Sequence, residues 1–329
     1  MSMTGLVGLD NISLQRHNMK AMPIPALAIQ NLTKVYDGSL AVDDISFSIE
    51  PGEIFGLLGP NGAGKSTTIN MIGGVTHIGS GSIKVFGFDS QKDYRTTRRL
   101  VGVMHQEIVI DNFFTIDQAL RFHAGYYGVS DDAAWRQRLI DRLGLKPHLH
   151  KVMIKLSGGM KRRFMIAKAL IHKPRLLILD EPTAGVDVEL RHTLWDFVRE
   201  INHQGTSILL TTHYLEEAEQ MCERIAIMNH GRLIALESTR TLLKELGTRS
   251  ILVYLQTPIT NVPDNLCCQA AELDASGTTL QLTLSANQPT GDLLKNLCDL
   301  GLPIADIETR KASLEEIFLQ MMQAGRVEP

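Results

Sequence analysis

The chain has 329 residues, 44% of them hydrophobic, which suits a globular protein of about two domains and excludes a disordered or fibrous one. Its formal net charge of −3 gives no broad basic surface, so no nucleic-acid partner is implied. No apolar stretch reaches the roughly 18 residues that span a bilayer, and the 4 cysteines, with Cys267 and Cys268 adjacent and no C-x-x-C pair, read as free thiols of a reducing compartment.

Residues 1–25 lack the apolar core of a secretory leader and read as an N-terminal extension, flexible in part, with Met3, Met19 and Met22 as alternative starts. From Ala26 to Phe88 short strands alternate with turns at Asp37-Gly38 and Pro51-Gly52, the texture of an antiparallel sheet. Tyr36, at the end of Leu32-Thr-Lys-Val-Tyr36, offers a ring that can stack on a purine. The apolar run Ile54-Phe-Gly-Leu-Leu58 reads as a buried strand. It leads into Gly59-Pro-Asn-Gly-Ala-Gly-Lys-Ser-Thr67, a fit to G-x-x-x-x-G-K-S, and a helix starts at Ser66.

Strand, glycine loop and helix in that order form a phosphate cradle. Backbone N–H groups from Gly59 through Asn61, Gly62, Ala63, Gly64 and on to Thr67 converge on one anion, and the helix N-terminus adds about half a positive charge. Lys65 is expected to reach the β- and γ-phosphates of a nucleotide, and the Ser66 hydroxyl to ligate Mg²⁺. Leu100-Val-Gly-Val-Met104 reads as a further strand, with Gln106 just beyond it, where a neutral amide can touch both Mg²⁺ and an attacking water. Residues 107–156 are less apolar and mostly helical, with helices expected at Phe114–Leu120 and Trp135–Leu143.

Leu156-Ser-Gly-Gly-Met160 then opens a helix whose apolar spacing runs through Phe164, Ala167, Leu170 and Ile171. Ser157 suits its N-cap, while Gly158 and Gly159 leave the first backbone N–H groups open to a close anion. Each glycine costs a helix up to about 1 kcal/mol, so this start reads as a second phosphate site. Arg175-Leu-Leu-Ile-Leu-Asp-Glu-Pro182 is a central buried strand ending in two carboxylates, at the edge where doubly wound α/β sheets hold ligands. Asp180 is expected to hold Mg²⁺ through water, and Glu181 to act as general base on the attacking water. His213 follows the strand Ser207–Thr211 at the same edge, where its imidazole can bond a γ-phosphate. Taken alone, the acid pair, Gln106, His213 and Tyr36 each fit an ordinary structural role; their order along the chain gives them meaning. After His213, a helix at Tyr214–Cys222 and a hairpin at Ile225–Ala235 with Gly231 at its turn close the unit. From residue 237 to 329 the texture is that of a small α+β domain, with strands at Ile251–Leu255 and Thr279–Leu284 and helices at Asp292–Leu300 and Ser313–Met321.

Tyr36, the phosphate loop, Gln106, Leu156–Met160, Leu176–Pro182, Ala184-Gly-Val-Asp187 and His213 together resemble, over about residues 26–235, the ATP-binding cassette (ABC) family of ATPases. The resemblance implies an α/β P-loop core with an antiparallel β subdomain and a helical subdomain at about 107–172. It implies a homodimer in which two ATP molecules lie between head-to-tail cassettes. Ser157, Gly158 and Gly159 of each chain would then contact the γ-phosphate held by the other, and Asp187 would line the seam. Both shared sites should hydrolyse ATP with Mg²⁺. Met160 stands where the commonest form of the signature has Gln. Followed by Lys161-Arg162-Arg163, it resembles the ABC-2 type exporters, drug- and polysaccharide-export ATPases among them, and within these the YadG-like members. That branch implies a separate integral-membrane permease, through which this cytoplasmic chain would sit peripherally on the cytoplasmic face of the inner (plasma) membrane. A helix of the permease would dock between the helical subdomain and the loop at Gln106, with Phe113 and Phe114 as contacts or as the subdomain's own core. The 237–329 domain would stabilise or regulate.

An ABC importer ATPase is the alternative, since importers share the catalytic residues, as is a soluble ABC ATPase acting on DNA or ribosomes. Against the latter stand the lack of a coiled-coil or zinc insertion between Lys65 and Ser157 and of a second P-loop after His213.

Overall fold

The computed structural model describes residues 23–107, 113–186, 188–245, 249–284, 288–310 and 313–324. The expectations for residues 1–22 and for Asp187 lie outside the described residues.

The chain opens with a hairpin, β1 (Leu27–Tyr36) and β2 (Ser39–Ile49), turned at Asp37-Gly38. The wholly buried β3 (Ile54–Leu58) runs through the glycine loop into α1 (Lys65–Ile72). Next, β4 (Ser80–Val85) and β5 (Phe88–Asp89) return to the hairpin and complete an antiparallel sheet in the order β2-β1-β4-β5. The chain then forms α2 (Tyr94–Leu100), β6 (Val101–Met104), α3 (Ile116–Tyr126), α4 (Ala133–Arg142) and α5 (Gly158–Leu170). After these come β7 (Leu176–Asp180), α6 (Val188–His203), β8 (Ser207–Thr211), α7 (Leu215–Met221), β9 (Arg224–Asn229) and β10 (Arg232–Ser238).

A six-stranded sheet of order β10-β9-β3-β8-β7-β6 forms the centre, parallel throughout except for the β9–β10 hairpin. The strands β3, β7 and β8 are apolar runs because both faces of the sheet are covered. Their side chains alternate between two cores. Leu58, Leu177, Leu179, Ile208 and Leu210 pack under the helical layer, while Phe55, Leu57, Leu176, Ile178 and Leu209 pack with α1 and the antiparallel sheet. From β3 the strand order runs one way to β8-β7-β6 and the other way to β9-β10, so a crevice opens at its carboxyl end, where such sheets bind ligands. At the far edge, β6 touches α5 closely: a Cβ at Gly102 would lie 2.1 Å from the Ala169 carbonyl oxygen. That contact seats β6, and Gln106 beyond it, on the helix that starts at Ser157.

Beyond α8 (Thr239–Glu245), the strands β11 (Arg249–Leu255), β12 (Ala270–Leu273) and β13 (Thr279–Leu284), the helix α9 (Thr290–Asp299) and the strand β14 (Ile304–Arg310) form a second unit. Its antiparallel sheet has the order β12-β13-β11-β14 and a core of its own, to which α9 supplies Leu293 and Leu297. The last helix, α10 (Leu314–Ala324), leaves that unit. Leu314, Phe318, Met321 and Met322 pack into the helical-side core of the large sheet, and the Leu314 N–H donates to Glu219 Oε2 on α7 at 3.0 Å. The small sheet is thus held between two segments, α8 and α10, that both pack on the cassette. Among the described residues no helix is long and apolar enough to cross a membrane.

Where α3 meets β6 and the end of α5, one imidazole is buried and a second is partly buried. The His172 ring stacks on Tyr127 with centroids 3.7 Å apart, and its Nε2 lies 3.0 Å from the Val101 carbonyl oxygen. Burial pushes its pKa down to about 4, against the pull of that carbonyl. His123 is pushed down to about 3 by burial first, then by Lys168 and His172. Unfolded imidazoles titrate near 6.5, so between that pH and about 4 the unfolded chain takes up protons that the folded chain refuses. Stability present above pH 6.5 is therefore lost as the pH falls through this window. The urea midpoint is expected to drop steeply there and to drop less in His172→Gln; identical slopes for both proteins would refute the assignment.

Candidate functional site

The carboxyl ends of β3, β6, β7 and β8 gather the sequence candidates at one place. A pocket of about 300 Å³ is lined by Ala41, by Asn61, Gly62, Ala63, Gly64, Lys65, Ser66 and Thr67, and by Gln106 and Glu181. The loop packs tightly enough that a Cβ at Gly64 would lie 2.5 Å from the Ala41 carbonyl oxygen, so only glycine opens α1 here. Lys65 is only 8% exposed. Its Nζ donates to the carbonyls of Gly59 at 2.6 Å and Pro60 at 3.0 Å, the first and second residues of its own loop. Burial pulls its pKa below the usual lysine range, and Glu181 and Asp180 pull it back up.

Both carboxylates are buried and both are hydrogen-bonded. Asp180, 3% exposed, accepts from Thr211 Oγ1 at 2.5 Å through Oδ1 and from Ser66 Oγ at 3.3 Å through Oδ2. Glu181 accepts from Gln106 Nε2 at 2.9 Å through Oε2, and His213 Nδ1 lies 3.5 Å from the same oxygen. The backbone of Glu181 has φ 50°, the left-handed region that non-glycine residues seldom adopt. Its N–H is caught by the Thr211 carbonyl at 3.0 Å and by Thr211 Oγ1 at 3.1 Å. One threonine at the end of β8 therefore fixes both acids.

The sequence candidates for base, metal ligand, cradle and γ-phosphate partner thus meet around one pocket. Tyr36 stands apart from it, with its ring exposed, Lys34 Nζ 5.0 Å from the ring centroid and its hydroxyl 3.5 Å from Thr76 Oγ1. Ser157, Gly158 and Gly159 also stand apart. Ser157 Oγ accepts from the Met160 N–H at 3.3 Å, the expected N-cap of α5, and a Cβ at Gly158 would meet only open space. Met160 turns inward and packs on the helical-side core, which gives an apolar side chain at that position a physical reason.

Sequence reasoning missed three groups around these acids. Arg162 donates from its two terminal nitrogens to the carbonyls of Gln106 and Glu181, each at 2.6 Å. Burial lowers its pKa from the usual guanidinium range, opposed by Glu181 and then Asp180. Glu217 accepts from Thr183 and Thr212, both at 2.9 Å, and ties the turn after β7 to the turn after β8. Thr211 is the third. Two of these were signalled: Arg162 shares a helical face with the apolar Met165, Ile166 and Ala169, and Thr211 is the polar end of an apolar strand.

Mg²⁺ suits this arrangement. Ser66 and Asp180 supply hydroxyl and carboxylate oxygens 3.3 Å apart beside the cradle, and Gln106 adds an amide oxygen. Few protein oxygens completed by substrate phosphates is the usual way Mg²⁺ is held. Among the described residues no cluster of three or more His, Cys, Asp or Glu offers a rival metal site.

A glycine loop opening a helix, beside two buried acids at the carboxyl edge of a parallel sheet, defines a P-loop nucleotide-binding ATPase. Residues 42–184 match the family model described as ABC transporter. The Nod factor export ATP-binding protein I of Burkholderia pseudomallei (strain 1710b) is 38% identical over 303 residues, which cover 91% of this chain and 98% of that one. The linearmycin resistance ATP-binding protein LnrL of Bacillus subtilis (strain 168) is 33% identical, covering 90% and 97%. The daunorubicin/doxorubicin resistance ATP-binding protein DrrA of Streptomyces peucetius is 35% identical, covering 92% and 94%. A solved ATP-binding subunit of an ABC transporter superposes with a TM-score of 0.62 at 32% identity, over 66% of this chain and 91% of that one. The ATP-binding cassette MJ0796, solved as a dimer in a post-hydrolysis state, shares the fold with a TM-score of 0.60 at 24% identity. The chain belongs to the ATP-binding subunits of ABC transporters, and its fold is the ABC ATPase cassette.

Thr211→Val keeps the shape of the side chain and removes the hydroxyl shared by Asp180 and Glu181. ATP turnover is expected to fall about tenfold, with ATP affinity within about threefold of wild type, as for a group that acts only in the transition state. Steady-state kinetics beside equilibrium binding checks this, and unchanged turnover would contradict it.

Proposed function

We propose that this chain is the ATP-hydrolysing subunit of an ABC-2 type exporter, working as a head-to-tail homodimer on a separate permease at the cytoplasmic face of the membrane. The exported compound would be met by the permease. The names of the relatives, which export Nod factor or confer resistance to linearmycin and daunorubicin, support export over import.

The observation that carries the pairing is the separation of the two phosphate sites. The cradle at Lys65 has its own acids, while the capped, open start of α5 at Ser157–Gly159 lies outside that pocket. A helix N-terminus that opens on an exposed glycine, here Gly158, suits an anion, and in a paired cassette that anion is the γ-phosphate held by the second copy. Asp187 would lie on the seam between them, and Tyr36 would stack on the adenine.

In this reading Lys65 leaves the carbonyls of Gly59 and Pro60 for the phosphates of ATP, and the N–H groups of the loop take the remaining oxygens. Glu181 accepts a proton from water as the water attacks the γ-phosphorus, and ADP leaves with its β-phosphate oxygen. Gln106 and His213, which both address Oε2, hold the carboxylate and the water in line. Mg²⁺, held by Ser66, Asp180 and Gln106, would neutralise charge on the phosphate oxygens. Domains of 26–236 for the cassette and 237–329 for the appendix remain the working division, with α10 fastening the second to the first.

A groove of about 480 Å³ between α1, α2, β6 and α3, lined by Tyr94, Arg95, Arg98, Arg99, His123 and Tyr126 among others, suits a permease helix carrying an acidic group. Phe113, 87% exposed beside the helical subdomain, suits the same partner, whereas Phe114 packs edge-on against Phe122 with centroids 4.8 Å apart. The YadG-like subtype remains part of this proposal.

Glu181→Gln is expected to bind ATP-Mg²⁺, accumulate as a dimer and lose turnover; a variant that stays monomeric on size exclusion at saturating ATP would remove the pairing. Tyr126→Ala is expected to weaken co-purification of the permease while the isolated subunit hydrolyses ATP as before. Undiminished co-purification would exclude the groove.

A further inference from the structure

Arg162 is 5% exposed and sits on α5, within two turns of the signature residues Ser157–Gly159. One terminal nitrogen donates to the Gln106 carbonyl and the other to the Glu181 carbonyl, both at 2.6 Å. These are the two residues whose side chains meet at Glu181 Oε2. A single planar guanidinium therefore sets the spacing of their backbones through two nitrogens in a fixed fork, a geometry that the one nitrogen of a lysine does not reproduce. Glu181 needs such a hold. Its left-handed backbone at φ 50° persists only where neighbours over-determine it. Thr211 grips the N–H side of the residue, and Arg162 grips the carbonyl side together with the Ala184 N–H at 3.3 Å. Arg162 does not line the phosphate pocket, so it acts on the site through Gln106 and Glu181.

We propose that Arg162 is a positioning residue that joins the signature helix to the water-activating residues of the same chain, so that docking of Ser157–Gly159 on a second copy's nucleotide is transmitted to this chain's own Glu181 and Gln106. The transmission half of this proposal rests on the head-to-tail pairing; the positioning half does not. The contact is short: about one helix turn and one hydrogen bond separate the open N-terminus of α5 from the backbone of Glu181, and a parallel hydrogen bond reaches the backbone of Gln106.

The test compares Arg162→Met, which keeps bulk and removes both donating nitrogens, with Arg162→Lys, which keeps the charge on a single nitrogen, in the full chain. For Arg162→Met, kcat is expected to fall about 100-fold, the loss that follows a misplacement of about 1 Å in reacting groups. ATP affinity, measured by equilibrium binding, and KM are expected to stay within about threefold of wild type. Arg162→Lys should fall between. Arg162→Met combined with Glu181→Gln should still form the ATP-dependent dimer. A kcat within about threefold of wild type in Arg162→Met overturns the proposal, as does a parallel loss of ATP affinity and kcat in folded protein. If the methionine variant does not fold, Arg162→Lys decides, and wild-type kcat there overturns it. Should Glu181→Gln itself fail to dimerise, the pairing and the transmission fall together, while the kcat-against-KM split of the Arg162 variants still judges the positioning role.

Discussion

Four charged side chains, Lys65, Asp180, Glu181 and Arg162, are withdrawn from water at one edge of one sheet. A buried charge left unpaired costs several kcal/mol, and much of the cassette can be understood as the means of avoiding that. Lys65 is met by the carbonyls of its own loop, Asp180 by Ser66 and Thr211, Glu181 by Gln106 with His213 nearby, and Arg162 by two backbone carbonyls. A parallel sheet suits this because it delivers the ends of β3, β6, β7 and β8 to one side: Lys65 follows β3, Asp180 and Glu181 come at the end of β7, and their partners Gln106 and Thr211 come from the ends of β6 and β8. The helical layer and the antiparallel sheet supply the apolar cover that keeps water from the buried strands β3, β7 and β8.

Much of this was legible in the residues. Ile54–Leu58 and Ser207–Thr211 form strands with the bounds read from their apolar runs, because strands buried on both faces leave a continuous signal. The cradle, the acids, Gln106 and His213 come together as their spacing suggested, because each sits just beyond a strand end. The short helix at Tyr94–Leu100 was not legible, being polar with only Thr97 buried. Nor were the strands at Ala270–Leu273 and Ile304–Arg310, which are edge strands in which no residue is fully buried. Arg162 could be seen as basic but not as a clamp, since both of its partners lie far away in sequence, brought to it by the β6–α5 contact at Gly102.

The C-terminal helix shows the same limit at the scale of domains. Ser313–Met321 was recognisable as a helix and was grouped by position with the small sheet before it. Its apolar face instead covers α7 and α8, so the sheet hangs between two anchors on the cassette. Through α10 this module touches α7, whose Glu217 bonds Thr212 in the turn that bears His213. Met160 belongs to a similar pattern: its inward side chain seats the start of α5 on the core while Ser157 and Gly158 stay open to the outside.

The shared site can be read directly by cross-linking two differently tagged chains, one carrying Asn61→Cys in the cradle and the other Gly158→Cys at the start of α5. Cys267, Cys268 and Cys298 are first replaced, and the buried Cys222 is kept. If the two phosphate sites of different copies close on one nucleotide, ATP-Mg²⁺ raises the yield of the mixed disulfide well above that of either like pair. A yield that ignores ATP, or that favours like pairs, would contradict the shared site.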